Sequence, residues 1–257
     1  MRNYYFIAAS LPELKLGEKP EISFEELVYR LSLNLSKDDL EKTVVLRRYI
    51  DILNIRALLL EEPLDSRGNL NEKELDEALL LESFFPPYVF DYLNQYEDKK
   101  DQIRNFSSLL IHYFSEEVKG QEGFLKKYLI FEREWRLVVA ALRAKKLKWD
   151  ITRELQFEDF TEPVVADILA QKDVEQYEPP AEFQDLKELI HACGDDPWAL
   201  FKAISEYRFQ KIEEMSGYPL FSMDWILGYM ARLILVEQWV ELDEEKGKNI
   251  LENFKTG

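Results

Sequence analysis

The sequence predicts an all-α protein, and three observations carry that prediction. Only nine glycines occur in 257 residues, so the left-handed turns that many short strands would need are scarce. Apolar residues recur at steps of three and four along most of the chain. A single segment, Tyr4 to Ala9, reads as extended, because it is rich in aromatics and ends at the Leu11-Pro12 break.

The elements follow in order. Ser23 with Glu26 forms a capping-box pattern ahead of Phe24, Leu27, Val28 and Leu31 at helical spacing. The next helix begins near Ser36 with two apolar stripes, Val45, Tyr49 and Ile52 on one side and Leu46, Ile50, Leu53, Ala57 and Leu60 on another. Between them lies a narrow polar strip, Arg47, Asp51 and Asn54, in which Arg47 and Asp51 can pair across one turn. Pro63 and Gly68 close this segment, and Asn71 with Glu74 opens another helix.

Pro86-Pro87 precedes a helix with Tyr88, Tyr92 and Leu93, and the charged run from Glu97 to Asp101 reads as a solvated corner. After Gly120 and Gly123 comes the clearest periodicity, Phe124, Tyr128, Phe131, Trp135, Val138 and Leu142. Residues 175–182, with Pro179-Pro180, read as a linker. Asp196-Pro197 starts a helix that buries Leu200, Ile204 and Tyr207, and Gly217 and Pro219 end it. Ser222 starts the last long helix, with Tyr229, Leu233, Val236 and Val240 on one face, and the tail after Gly247 holds Ile250, Leu251 and Phe254.

Charge and composition exclude several functions. A formal net charge of -17 opposes a broad contact with nucleic acid or anionic lipid, since both are negative. The apolar run at Trp225 to Trp239 is shorter than the roughly 20 residues of a membrane span and contains Arg232 and Glu237. The N-terminal apolar run is too short for a secretory signal, and the lone Cys193 fits a reducing compartment, so a cytoplasmic location is expected.

No catalytic equipment is expected, and no cofactor. Glu188-Leu189-Ile190-His191 supplies half of a carboxylate-bridged metal site, but His112 has no carboxylate at the matching offset. Cys193, two residues from His191, points to a different helix face. Phosphate-binding glycine loops and the serine nucleophile elbow are absent from the sequence. Asp195-Asp196 and Glu61-Glu62 read as solvated helix ends. One basic cluster stands out, Arg143, Lys145, Lys146, Lys148 and Trp149. It reads either as a helix C-terminus with compensating cations or as a docking patch for an acidic partner with Trp149 as anchor.

Three triplets inside long helices echo one another: Asn54-Ile55-Arg56, Glu134-Trp135-Arg136 and Gln238-Trp239-Val240. The stretch Tyr49 to Arg56, followed by Gly68 to Leu75, resembles the repeated helix of the C/d-type central-stalk proteins of V-type and A-type ATPases. Arg143-Ala144-Lys145 is similar to that family's second-lobe pattern, and Pro219-Leu220 through Tyr229 and Glu237 to its last. Phe131 and Glu134 stand where the motif has Asp and Asn, and Lys148 where it has Gly. The whole chain also resembles an uncharacterised bacterial family encoded beside V-type ATPase genes, most clearly at Tyr4 to Ala8 and Phe131 to Leu137.

The resemblance implies three helical lobes with pseudo-threefold repetition, divided here as 1–120, 121–178 and 179–257, with one compact domain as the alternative. It implies a non-catalytic rotor connector whose partners are the central shaft proteins and the proteolipid ring. Such a part sits at the inner membrane through the ATPase complex, without nucleic acid and without inserting into lipid. An assembly factor with a related fold is the alternative, and a carboxylate-metal enzyme using Glu188 and His191 a lesser one.

Overall fold

The computed structural model describes residues 4–96 and 98–242. Among the described residues there are thirteen α-helices and no strand. They are α1 (Tyr5–Ala9), α2 (Phe24–Asn34), α3 (Lys37–Leu60), α4 (Glu72–Leu80), α5 (Pro87–Gln95), α6 (Lys99–Arg104) and α7 (Phe106–Glu117). There follow α8 (Gly123–Leu147), α9 (Ile151–Glu154), α10 (Pro163–Ala170), α11 (Gln184–Cys193), α12 (Pro197–Ser216) and α13 (Met223–Glu241).

The all-α class holds, with one correction. Tyr4 to Ala9 is not extended: it forms α1, in which Ala8 N–H donates to the Tyr4 carbonyl at 3.0 Å and Ser10 N–H to Ile7 at 3.0 Å. A strand with no neighbour would leave its backbone groups unpaired, whereas a helical turn satisfies them locally. Tyr4 N–H is anchored to the Phe221 carbonyl at 2.9 Å, and α1 buries Ile7 and Ala8 while Tyr5 and Phe6 face out. The charged run after Tyr96 is also more ordered than a solvated corner, since Asp98 caps α6 by accepting from Lys100 N–H at 2.8 Å. Glu97, which begins that run, and the tail residues Ile250, Leu251 and Phe254 lie outside the described residues.

The capping residues work as their types dictate. Asn71 and Glu74 make a reciprocal capping box, and Ser36, Asp196 and Ser222 each accept from a first-turn amide. At α2 only half the box forms. Ser23 Oγ accepts from Glu26 N–H at 3.1 Å, but the Glu26 carboxylate turns to Arg30, and the Phe24 N–H donates to Glu237 of α13 at 2.7 Å. A tertiary contact thus satisfies the neighbouring first-turn amide, Phe24 N–H.

Both longest helices, α3 and α8, end on a residue in the left-handed region, Glu61 (φ 59) and Lys148 (φ 53). The next amide reaches back over the last turn, from Glu62 to Ala57 at 2.9 Å and from Trp149 to Ala144 at 2.8 Å. This is the Schellman closure, normally made by glycine because a Cβ is strained there.

Buried apolar side chains form two clusters. The first draws on α1 to α5 and α7, the opening turns of α8 (Phe124, Leu125, Leu129), Ile212 near the end of α12, and most of α13. The second gathers Trp135, Val138 and Ala141 of α8, Ile151 of α9, Val164, Val165 and Ile168 of α10, with Tyr177, Phe183, Leu186 and Tyr207. Tyr177 lies inside residues 175–182, so that irregular stretch packs on the second cluster. Helices α8 and α12 run through both clusters. The predicted stripe of α8 is what makes this possible, with Phe124 and Tyr128 in the first cluster and Trp135 and Val138 in the second.

Where the clusters meet, α8 carries a buried charge, Glu132, 3% exposed. It accepts from Arg208 of α12 at 3.0 Å through Nε and at 2.9 Å through a terminal nitrogen, and from Arg136 one turn along α8. Arg136 lies 4.6 Å from the Tyr49 ring centroid and 4.5 Å from that of Trp135, and Arg208 lies 5.2 Å from Trp135. Burial alone would raise the Glu132 carboxyl, but Arg208 and Arg136 outweigh it and hold its pKa below the ordinary value.

Glu132→Gln leaves two half-buried guanidiniums short of a counter-charge and should lower unfolding free energy by about 1–3 kcal/mol in urea titration. Because the Glu132 pKa is depressed on folding, its contribution is present above the unfolded value of about 4.3 and is lost as pH falls through the folded value. The variant's stability should therefore fall less steeply on acidification. Conversely, Glu61→Gly and Lys148→Gly each relieve a left-handed Cβ and should raise stability by about 1 kcal/mol, read as a higher denaturant midpoint at unchanged slope.

Candidate functional site

Two sets of residues singled out by sequence are placed very differently. The strip on α3 is internal. Asp51 and Asn54 are 0% and 2% exposed, less than Leu53, which belongs to a predicted apolar stripe and is 36% exposed. What covers the strip is the loop between α3 and α4. Asn54 makes a two-way exchange with Asp65, donating to its carbonyl at 2.9 Å and accepting from its N–H at 2.8 Å. Asp51 accepts from Asn69 N–H at 2.6 Å, from the Asn69 side-chain amide at 2.6 Å and from Leu70 N–H at 3.2 Å. Arg47 does not close on Asp51: it donates to the carbonyl of Arg67 at 3.0 Å and to that of Gly68. The strip therefore supplies the backbone partners that a buried loop needs.

The same loop fastens α13. Arg67, 6% exposed, is held by Asp65 at 2.8 Å and reaches Glu241 at 2.9 Å and Glu237 at 3.5 Å. Arg67 stands 170 residues or more from these α13 carboxylates, a pairing that no local pattern in the sequence marks.

The basic cluster lies at the C-terminal end of α8, and its members divide into two groups. Lys145 Nζ donates to the carbonyls of Gln171 at 2.8 Å, Lys172 at 2.6 Å and Val174 at 2.5 Å, closing the chain that leaves α10. Lys146 Nζ donates to the Gly194 carbonyl at 2.6 Å, past the end of α11, and lies 2.5 Å from Asp195, whose carboxyl it holds below the ordinary value. The cations do serve helix ends, but those of neighbouring helices. Arg143 and Lys148 are exposed, and their side chains make no hydrogen bond or ion pair among the described residues. Trp149 is 58% exposed.

Around Lys145, Lys146, Lys148 and Trp149, but not Arg143, opens a cleft of about 800 Å³. Its walls are the end of α8, the chain at 172–177 and the end of α11, and Lys172, Lys187 and His191 join the sequence-predicted residues there. Lys187 pairs with Glu178 at 2.5 Å. Glu188 and His191 are exposed on α11, Cys193 is half-buried, and among the described residues no group of three or more His, Cys, Asp or Glu is placed to hold a metal ion. The three echoing triplets meet unlike surroundings. Asn54 is buried against Asp65, Glu134 is raised in pKa by burial and by the nearby Glu182 and Glu162, and Gln238 is partly exposed on α13.

These features define an all-helical protein with two apolar clusters, the Glu132 ion pairs where they meet, and a cleft lined by lysines and apolar side chains. The chain belongs to the family described as Protein of unknown function (DUF2764), which it matches over residues 1–257. It is similar to an uncharacterized protein of Chlamydia muridarum (strain MoPn / Nigg), 29% identical over 263 residues that cover 100% of this chain and 99% of that one. A Chlamydia trachomatis serovar D protein is 27% identical over the same span, and one of Chlamydia pneumoniae 29% identical over 99% of this chain and 98% of its own. No solved structure matches.

The loop-and-strip arrangement is tested at Gly68. A Cβ there would lie 2.6 Å from Asp51 Oδ1 and 3.0 Å from Asn54 Nδ2. Gly68→Ala should therefore cost about 1–3 kcal/mol in overpacking, with faster amide exchange at Asn69 and Leu70 as the local signature.

Proposed function

We propose that this protein is a non-catalytic connector of a bacterial V-type ATPase, joining the central shaft to the proteolipid ring from the cytoplasmic side. The resemblance of Tyr49 to Arg56 to the C/d-type stalk proteins, and of Phe131 to Leu137 to a family encoded beside V-type ATPase genes, supports this choice of complex. One structural observation supports the mechanical part of the reading. Helix α8 runs unbroken over Gly123–Leu147 through both apolar clusters, with Glu132, Arg136 and Arg208 bonded at the join. A coupling must not bend under load, and interlocked side chains at a helix-helix crossing resist bending.

Contact with ring loops and shaft proteins requires protein surfaces only. No described helix is long and apolar enough to cross a membrane. The exposed apolar residues from separate parts of the sequence, Phe6 and Tyr218 (83% and 88%) and Leu80 and Leu81 (82% and 70%), offer contact area for two partners.

Affinity purification of the native ATPase tests the proposal. The chain should co-purify with shaft and ring proteins in fixed ratio and withstand gel filtration. Its consistent absence from the complex overturns the connector. Substoichiometric association confined to partly assembled complexes would instead make it an assembly factor.

A further inference from the structure

The cleft at the end of α8 has the build of a binding site. Its lining includes the apolar side chains of Leu142, Tyr177 and Ile190, together with the exposed Trp149 ring. Five lysines line it against two carboxylates, Glu175 and Asp195, and Asp195 is already paired with Lys146. The lining thus carries a net positive charge on a chain whose total is -17.

The lysines are not equivalent. Lys145 and Lys146 are occupied in fixing the two walls, one on the carbonyls of residues 171–174 and the other on Gly194. The side chains of Lys148 and Lys172 line the same cleft, are exposed, and make no hydrogen bond or ion pair among the described residues. A cleft whose walls are braced internally and whose remaining cations surround an exposed tryptophan has both elements of an interface anchor, a ring to bury and charges to orient what buries it.

We propose that this cleft takes an acidic segment of a partner protein, one that carries an apolar side chain to cover Trp149. An extended polyanion such as nucleic acid would meet the repulsion of the rest of the surface, whereas a short segment meets only the local patch. The inference rests on the reading that the chain holds partners, and not on which complex it joins.

Fluorescence anisotropy with labelled short peptides provides the test. The probe is a peptide of Glu, Asp, Leu and Phe. One control replaces the acids by Lys, and a second replaces Leu and Phe by Ser. The intact chain should bind the probe, release it as salt is raised, and bind both controls weakly. Lys148→Glu with Lys172→Glu, and separately Trp149→Ala, alter exposed side chains and should leave thermal unfolding nearly unchanged. Each should weaken probe binding about tenfold or more. The proposal is overturned if the intact chain does not favour the probe over both controls, or if the variants bind like the parent. Sedimentation without peptide supplies the other outcome. Self-association abolished by the same substitutions would assign the cleft to a second copy and overturn a partner segment. Peptide binding by a chain that never co-purifies with the ATPase would leave the cleft standing and remove the connector.

Discussion

The structure depends on how one helix stays continuous through two cores. Partway along α8, Glu132 is sealed from water at the boundary between the clusters and bonded to Arg136 and Arg208. Its net contribution to stability is modest by general experience, because taking the carboxylate and much of two guanidiniums out of water costs much of what their attraction returns. Arg136 shares α8 with the carboxylate, so Arg208 is the bond that ties α12 to this point, while Tyr49 and Trp135 lie against Arg136.

The rest of the chain is tied to that spine by a few more ion pairs of the same kind. Arg48 forks onto Glu117, which also accepts from Tyr88, so α3, α5 and α7 are joined. Arg133 reaches Glu158 at 2.5 Å, securing the turn after α9. Arg67 fastens the covered loop to α13. In an acidic protein an arginine readily finds a carboxylate, and here several of those meetings are between elements far apart in sequence. Most of the remaining carboxylates among the described residues are exposed, where water and salt screen them.

Against this background the cleft at the end of α8 is distinct. Elsewhere the buried cations close internal contacts, whereas there Lys148 and Trp149 remain exposed beside walls already braced by Lys145 and Lys146. The cluster Arg143 to Trp149 is legible in the sequence as something unusual, and the structure divides its members. Lys145 and Lys146 act on helix ends, and Lys148 and Trp149 face solvent. Lys172 and Lys187 carry no such signal, because only the fold of α10 and α11 brings them to the same cleft.

The helical class, the long α8 and the starts of α2, α3, α4, α12 and α13 were determined by the sequence itself. Spacing of apolar residues and the short-range reach of Ser, Asn and Asp side chains act within a few residues. What only tertiary structure decided was every matter of distance. Tyr4 to Ala9 became a helix because no strand lay beside it, and Asp51 and Asn54 of the α3 strip became buried because a loop folded over them. Glu132 and Arg136 sit one turn apart, as many surface pairs do, and the arrival of Arg208 from 76 residues further on made them the join between the two cores. Such a partner is chosen by packing geometry, which a linear pattern does not encode.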